Sequence, residues 1–374
     1  MTKVVLVANT DWYLFRFRLS LGRYLRNRGI EVVFISPSGP YVSHIEAAGF
    51  RWLEWKMDRK SVQPWTEIAS IWRLRRLFRA EAPDLVHLHT IKPVLYGSLA
   101  VWPDQHVAIV RSITGRGYVF LSADWIARLL QWVVRWGYRI LLHTGYGITV
   151  FENKSDRTFF VSEGFVDPST AVLVEGVGVD TDAYPPLAEP IGEPVVVLAG
   201  RLLRDKGVEV FVEAARLLHA KTQARFVLVG EPDVGNPSSI SVEMLNGWVK
   251  EGSIEWWGWQ SNMQKVFASC HIVCLPSFGE GMPTVLLEAA SSARPIVATD
   301  VPGCRDVVVD GVNGLLVPPG DPTALAQALE RLIADPDTRQ RMGQAGRELM
   351  VQRFSIEVVN EATYRLYLQL LREK

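Results

Sequence analysis

Short β-branched runs alternate with longer helical patterns along the chain. Near-continuous apolar segments occur at VVLVA (4–8), EVVFIS (31–36), DLVHLHT (84–90), AIVRSI (108–113) and GITVFEN (147–153). A second series runs through PVVVLAG (194–200), ARFVLVG (224–230), IEWWG (254–258), HIVCLPS (271–277) and PIVAT (295–299). Strands buried on both faces read as such runs, so each series predicts a parallel sheet covered by helices on both sides. Helical periodicities such as VEVFVEAARLLHAK (208–221) lie between the strands. The segment 181–194 separates the two series, and its Pro185, Pro186, Pro190 and Pro194 disfavour helix and interior strand. The pattern predicts an α/β chain of two doubly wound, Rossmann-like domains, 1–185 and 186–354. The closing amphipathic segment 355–374 is a candidate to pack back on the first domain. Ligands of such sheets sit beyond the carboxyl ends of the strands, so two facing sheets are expected to hold their chemistry in a cleft.

Composition adds limits to this picture. At 374 residues the chain exceeds what one hydrophobic core usually organises, and 48% hydrophobic with 21% charged residues excludes a disordered or fibrous protein. Cys270, Cys274 and Cys304 are too few for a disulfide framework and fit a reducing compartment, with the cytoplasm as the expectation. The first residues lack the apolar core and cleavage site of a signal peptide, and no apolar stretch reaches the length of a spanning helix. Net charge is zero but uneven. Residues 1–150 hold 20 Lys and Arg against 10 Asp and Glu, and the remainder 20 against 30. Such a dipolar chain suggests that its N-terminal part meets something anionic, the alternative being uneven solvation of exposed faces.

The strongest chemical signal is SFGEGMPTVLLEAASSARPIVATD (277–300), a strand-turn-helix passage with Glu280 and Glu288 eight residues apart. Amides and the dipole at the helix start can hold an anion such as a diphosphate, Thr284 can add a hydroxyl, and a carboxylate can grip sugar hydroxyls. A second element, LAGRLLRDKGVEVFVEAARLL (198–218), ends a strand at Gly200 and Arg201 and places Lys206 and Gly207 before a helix. The fork of an Arg and the point charge of a Lys suit two adjacent phosphates, although an ordinary charged turn is the alternative.

These residues resemble the family-4 retaining glycosyltransferases of the two-domain GT-B fold. The likeness runs through Gly200-Arg201, Asp205-Lys206-Gly207, Val229-Gly230, the Glu280 to Glu288 element and GVNGLLVPPGDPTALAQAL (311–329). It implies a nucleotide-sugar donor, with Gly200, Arg201 and Lys206 at its diphosphate and Glu288 at the ribose. Glu280 with the backbone of Gly281, Met282 and Pro283 would meet the donor sugar, and Gly258, Trp259 and Gln260 the uracil. By the same resemblance Arg201, Lys206 and Glu280 carry catalysis, and no metal or other cofactor is required, because cationic side chains and helix dipoles stabilise the leaving group.

A narrower likeness in FRFRLSLGRYLRNRGIEV (15–32), DRKSVQPW (58–65), GVGVD (176–180) and EPDVGNPSSISVEMLNGW (231–248) is to the subgroup that extends undecaprenyl-diphosphate-linked sugars. It implies a UDP-hexose or UDP-N-acetylhexosamine donor and a polyprenyl-diphosphate-linked glycan acceptor in bacterial surface polysaccharide or glycan assembly. Arg18, Arg59, Lys92, Thr114 and Asn153 are then candidates for the acceptor wall. Two family features are missing. The loop 9–15 lacks Gly-Gly, and the strand ending at Ser112-Ile113-Thr114-Gly115 lacks the His that many members aim at the donor sugar, a lack the lipid-linked subgroup shares. His87 and His89 fall in a strand pattern, where burial is expected.

Residues 123–142 test membrane attachment independently. As a helix they place Arg128, Gln131, Arg135 and Arg139 along one stripe, with Trp125, Leu129, Trp132, Val133, Trp136 and Ile140 over the rest. This is the pattern of an interfacial helix, which with RRLFR (75–79) could bind an anionic membrane surface on its cytoplasmic face, the alternative being a buried helix. Cys270, His271 and Cys274 mimic metal-ligand spacing, but strand alternation puts 270 and 274 on one face and 271 on the other, which favours core packing. Three rival functions remain. The same chemistry on a soluble acceptor predicts no membrane binding; an epimerase of this fold would convert UDP-sugar without acceptor; a nucleic-acid binder lacks any zinc-finger, helix-turn-helix or RNP motif.

Overall fold

The structure, a computed structural model, describes residues 1–58, 61, 63–102, 104, 106–115 and 125–372. The chain divides into two compact units, Met1–Gly178 with Glu357–Lys374, and Val179–Ile356.

Unit 1 is built on seven parallel strands in the order β3-β2-β1-β4-β5-β6-β7. They are β1 (Lys3–Val7), β2 (Glu31–Ser36), β3 (Arg51–Glu54), β4 (Leu85–His89), β5 (Ala108–Ile113), β6 (Gly147–Phe151) and β7 (Ala171–Leu173). Unit 2 holds six parallel strands in the order β10-β9-β8-β11-β12-β13. These are β8 (Val195–Ala199), β9 (Arg225–Val229), β10 (Glu255–Trp256), β11 (Ile272–Leu275), β12 (Ile296–Thr299) and β13 (Gly314–Val317). Strand order reverses between β1 and β4 in the first sheet and between β8 and β11 in the second, and at such points the connecting loops part and leave room for a ligand.

Side-chain alternation divides each sheet between two cores. In β1, Val5 and Val7 face a core with Leu74, Phe78, Val94, Val134, Tyr138 and Phe160 from four covering helices. Val4 and Leu6 face the opposite core, which is closed by Leu14, Leu21, Ile45 and by Val359, Tyr367 and Leu370 of the last helix, Ile356–Arg372. In unit 2, Val196 and Leu198 pack with Phe211, Leu245 and Leu325, while Val195, Val197 and Ala199 pack with Phe267, Leu286 and Phe354.

The structure adds three strands to those expected, β3, β7 and β13. β3, β7 and β13 lie at sheet edges. The proline-bearing segment 181–194 carries neither helix nor strand and is tied to unit 2. Leu187 N–H donates to the Ser292 carbonyl at 3.2 Å, and Arg294 donates to the carbonyls of Leu187 and Ala188 at 3.0 and 2.7 Å. The expected alternation of the Cys-His-Cys run is corrected: Cys270 and Cys274 lie in different cores, because the chain is not yet extended at Cys270 and β11 begins at Ile272. His271 is buried; its Nδ1 accepts from the Val195 amide at 3.0 Å and its Nε2 lies 3.0 Å from the Pro190 carbonyl.

Candidate active site

The two motif segments of unit 2 meet where its strand order reverses. After β8 the chain passes Gly200 and makes one tight turn, Arg204–Lys206, closed by Gly207 at φ 73°. A Cβ on Gly207 would stand 1.9 Å from the Pro276 carbonyl oxygen, so this close approach admits glycine alone. The turn and the loop after β11 are bonded directly. Ser277 Oγ and the Phe278 amide both donate to the Asp205 carbonyl, each at 2.9 Å. In consequence Lys206 Nζ reaches Glu280 Oε1 at 2.5 Å, with both side chains largely buried. The backbone of Glu280 and Gly281 is seated in turn on Gly303, where a Cβ would approach the Gly281 carbonyl oxygen to 2.5 Å.

From Gly281 the chain runs through buried Met282 and Pro283 into the helix Thr284–Ser291, whose N-cap makes no side-chain hydrogen bond. The first amides of a helix have no intrahelical acceptor and carry its positive end, so the helix start, Lys206 and the Glu280 loop form one anion-favouring corner. The Met282 side chain joins the core, which leaves only its backbone to face a ligand. Glu288, one turn and more into the helix, is buried.

Arg201 is placed differently from Lys206. Its side chain is 64% exposed, and Nη1 donates to Asp233 Oδ2 at 2.8 Å. Asp233 belongs to a loop bonded back onto the β8 turn, with the Arg204 amide donating to the Ser238 carbonyl at 2.7 Å and the Leu202 amide to Glu231 at 3.0 Å. Asp233 lies within a segment of the narrower likeness but is given no role there, and no residue pattern in the sequence marks Gly303. Gly258, Trp259 and Gln260 follow β10. Gly230 donates to the Gly258 carbonyl at 2.8 Å, and a Cβ on Gly230 would meet the Gly200 carbonyl oxygen at 1.9 Å. Glycines thus end β8, β9 and the β10 strand end in a row, a floor of bare backbone beside which Trp259 stands 66% exposed.

The candidate acceptor residues of unit 1 do not form one group. Lys92 Nζ donates to the Asp58 and Ser61 carbonyls at 2.9 and 2.7 Å and to Glu67 at 3.1 Å, so its hydrogens are committed to the fold. Asn153 is the N-cap of the helix Lys154–Ser162, its Oδ1 accepting from the Asp156 amide at 2.7 Å. Thr114 is half-buried just beyond β5, and Arg59 lies outside the described residues. Arg18 is buried; Nη2 donates to Tyr13 Oη at 2.8 Å and lies 3.4 Å from Glu152 Oε1. Burial pushes the Glu152 carboxyl up to about 7 against the pull of Arg18. His87 and His89 are buried with rings 3.9 Å apart, and desolvation holds both well below the usual imidazole range, hence neutral.

Comparison with known proteins places these features in a family. Residues 193–335 match the glycosyl transferases group 1, and residues 3–140 match the glycosyl transferase 4-like proteins. The chain belongs to these glycosyltransferases. An N,N'-diacetylbacillosaminyl-diphospho-undecaprenol alpha-1,3-N-acetylgalactosaminyltransferase of Campylobacter jejuni is 24% identical over 367 residues, 95% of each chain. A capsular polysaccharide biosynthesis glycosyltransferase of Staphylococcus aureus is 22% identical over 362 residues, 94% of this chain and 93% of that one. Among solved structures, a glycosyltransferase from Rickettsia africae superposes with a TM-score of 0.81 at 18% identity, covering 100% of this chain and 99% of that one. An Anabaena protein in complex with UDP gives 0.80 at 17% identity, covering 99% and 100%. Both carry the GT-B architecture of two parallel-sheet α/β domains found here. In this glycosyltransferase a groove of about 850 Å³ also runs along the helix Pro336–Leu349; Arg294 lines it, but Arg201, Lys206, Glu280 and Glu288 do not.

Proposed function

We propose that this glycosyltransferase moves a hexose or N-acetylhexosamine from a UDP-sugar to a saccharide carried on undecaprenyl diphosphate, with retention at the anomeric carbon and without a metal ion. The observation that carries the donor half is the Lys206–Glu280 contact beside the start of the helix Thr284–Ser291. A departing nucleoside diphosphate gains charge in the transition state, and an ammonium with helix-end amides fixed in advance stabilises that charge without reorganising. Glu280 would then hold Lys206 in place and face the sugar, and Glu288 the ribose. The acceptor half draws on the names of the relatives: a lipid-linked acceptor for the Campylobacter enzyme and capsular polysaccharide for the staphylococcal one. We assign the work to bacterial surface polysaccharide or glycan assembly.

A peripheral position on the cytoplasmic face of the membrane belongs to the same reading. No described helix is long and apolar enough to cross a membrane. Exposed tryptophans stand instead on two helices that cover one face of the first sheet. On Pro64–Glu81, Trp65, Ile68, Trp72, Arg76 and Arg79 recur at three- and four-residue spacing, all exposed. On Trp125–Leu141, Trp132, Val133 and Trp136 are exposed, while Arg135 pairs with Glu163 and both Arg135 and Arg139 lie over Phe165. The expected cationic stripe on that helix is therefore partly spent within the unit, and the side chains of residues 125–130 lie outside the described residues.

The test is incubation with a panel of UDP-sugars, with and without undecaprenyl-diphosphate-linked monosaccharides, reading UDP release and product mass. Release with a gain of one sugar only when the lipid acceptor is present supports the reading. Release with soluble acceptors alone retires its membrane half, and conversion of UDP-sugar without acceptor replaces transfer by epimerisation.

A further inference from the structure

The switch point of unit 1, between β1 and β4, holds a second polar cluster that the donor chemistry does not use. Arg18 ends the helix Asp11–Phe17 that follows β1, His89 and Thr90 end β4, and Glu152 follows β6. Among the described residues six buried side-chain polar atoms have no hydrogen-bond partner, and four of them are Arg18 Nε, His89 Nδ1, His89 Nε2 and Thr90 Oγ1. An unpaired buried polar group is destabilising, so four at these neighbouring element ends mark something other than a packing accident. The backbone is strained there as well: Thr90 sits at φ 71°, a region that β-branched residues rarely enter. The set is rich in donors. It comprises a guanidinium, an imidazole N–H and a hydroxyl, and its one carboxylate is held at a long 3.4 Å.

We infer that Arg18, His89 and Thr90 form an anion subsite at the carboxyl edge of the first sheet that takes a phosphate or diphosphate group, with Glu152 as the internal counter-ion such a group displaces. The inference deepens the acceptor half of the proposed function and rests on that reading for the diphosphate's owner, though not for anion binding itself. The charged and titratable neighbours set its pH dependence. Glu152 faces Arg18 from the β1 side and Asp156 from its own helix, and Tyr13 lies within the same field. Arg18 is faced further by Tyr367 of the last helix and by His87 and His89, both neutral. Glu152 takes a proton as pH falls through about 7. Below that value Arg18 keeps an uncompensated charge for a ligand; above it the pair is closed. Anion affinity therefore falls as pH rises.

The experiment is calorimetric titration of the full chain with pyrophosphate at pH 6 and pH 8, in saturating UDP so that the nucleotide subsite of unit 2 is filled. With the carboxyl titrating near 7, binding is expected to be about tenfold tighter at pH 6, after subtraction of the change seen in Glu152→Gln. Glu152→Gln should show only the pH response set by the protonation of pyrophosphate itself, and Arg18→Gln should not bind. Equal binding by wild type and Arg18→Gln overturns the inference, as does loss of pyrophosphate binding on adding UDP. Where Arg18→Gln fails to fold, Glu152→Gln decides alone: a pH response identical to that of wild type overturns the inference. Undecaprenyl-diphosphate-linked monosaccharide in competition with pyrophosphate separates the sources, since displacement assigns the subsite to the lipid-borne diphosphate and coexistence to a free phosphate. The transfer assay is read separately, so a subsite without lipid-dependent UDP release leaves the anion site standing and the proposed acceptor fallen.

Discussion

Gly207 holds the proposed donor corner together, because only a residue without Cβ lets the β8 turn lie against the Pro276 carbonyl. Gly207→Ala combines a left-handed φ with a blocked approach, and should cost roughly 1–3 kcal/mol, read as a lower urea midpoint for unit 2. Lys206→Ala leaves that geometry alone and removes the ammonium. Its turnover should drop by about 100-fold or more with an unchanged circular-dichroism melt, the scale seen when one preorganised charge-stabilising donor is lost, and near-normal turnover would contradict the assigned role. Lys206 and Glu280 were each legible in the sequence as members of motifs. Their contact was not, and neither was Asp233 on Arg201, since nothing in a turn sequence tells which carboxylate, 74 or 32 residues away, the fold will bring beside a cation.

At the scale of elements, apolar runs marked the buried central strands well. β3 and β7 escaped because edge strands are short and need not be apolar on both faces, as the partly exposed Arg51–Glu54 shows. The helices Pro64–Glu81 and Trp125–Leu141 teach the converse lesson. Sequence alone leaves the Trp-rich face of residues 123–142 open between an interfacial and a buried helix, and only the packing of Leu74, Phe78, Val134 and Tyr138 inward shows which side of each helix is left outside. Replacing Trp132 and Trp136 by Ser should abolish cosedimentation with anionic liposomes. The same change at Trp65 and Trp72 should weaken it and leave its salt dependence intact, because Arg76 and Arg79 remain. Unchanged sedimentation in the first double variant would sink the membrane assignment.

For the whole molecule, the last helix is the element whose role exceeds its sequence signal. Val359, Tyr367 and Leu370 complete a core of unit 1, and Tyr367 Oη meets His87 Nδ1 at 2.5 Å. Burial of each such side chain contributes about 1.5–3 kcal/mol against a typical total of about 5–15. A chain ending at residue 355 should therefore lose the near-ultraviolet signature and cooperative unfolding of unit 1. Glu152 gives a pH counterpart. Its folded value, raised by burial to about 7, means that stability present below the unfolded carboxylate range is lost as pH rises through about 7. His87 and His89, lowered by burial, act in the opposite sense and destabilise as pH falls below the unfolded imidazole range. The difference in melting temperature between wild type and Glu152→Gln should therefore widen from pH 5 to pH 8, and a constant difference would refute the assignment. By itself the sequence determined the parallel sheets, the turns that end their strands and the motif that places the chain in its family, because hydrophobic period, glycine and proline act over a few residues. Tertiary structure alone decided which charges are neutralised and which polar groups are stranded. Lys206 with Glu280, Arg18 with Glu152 and His87 with Tyr367 are separated by 74, 134 and 280 residues, and Coulomb and hydrogen-bond energies depend on distances in space that only the folded topology sets.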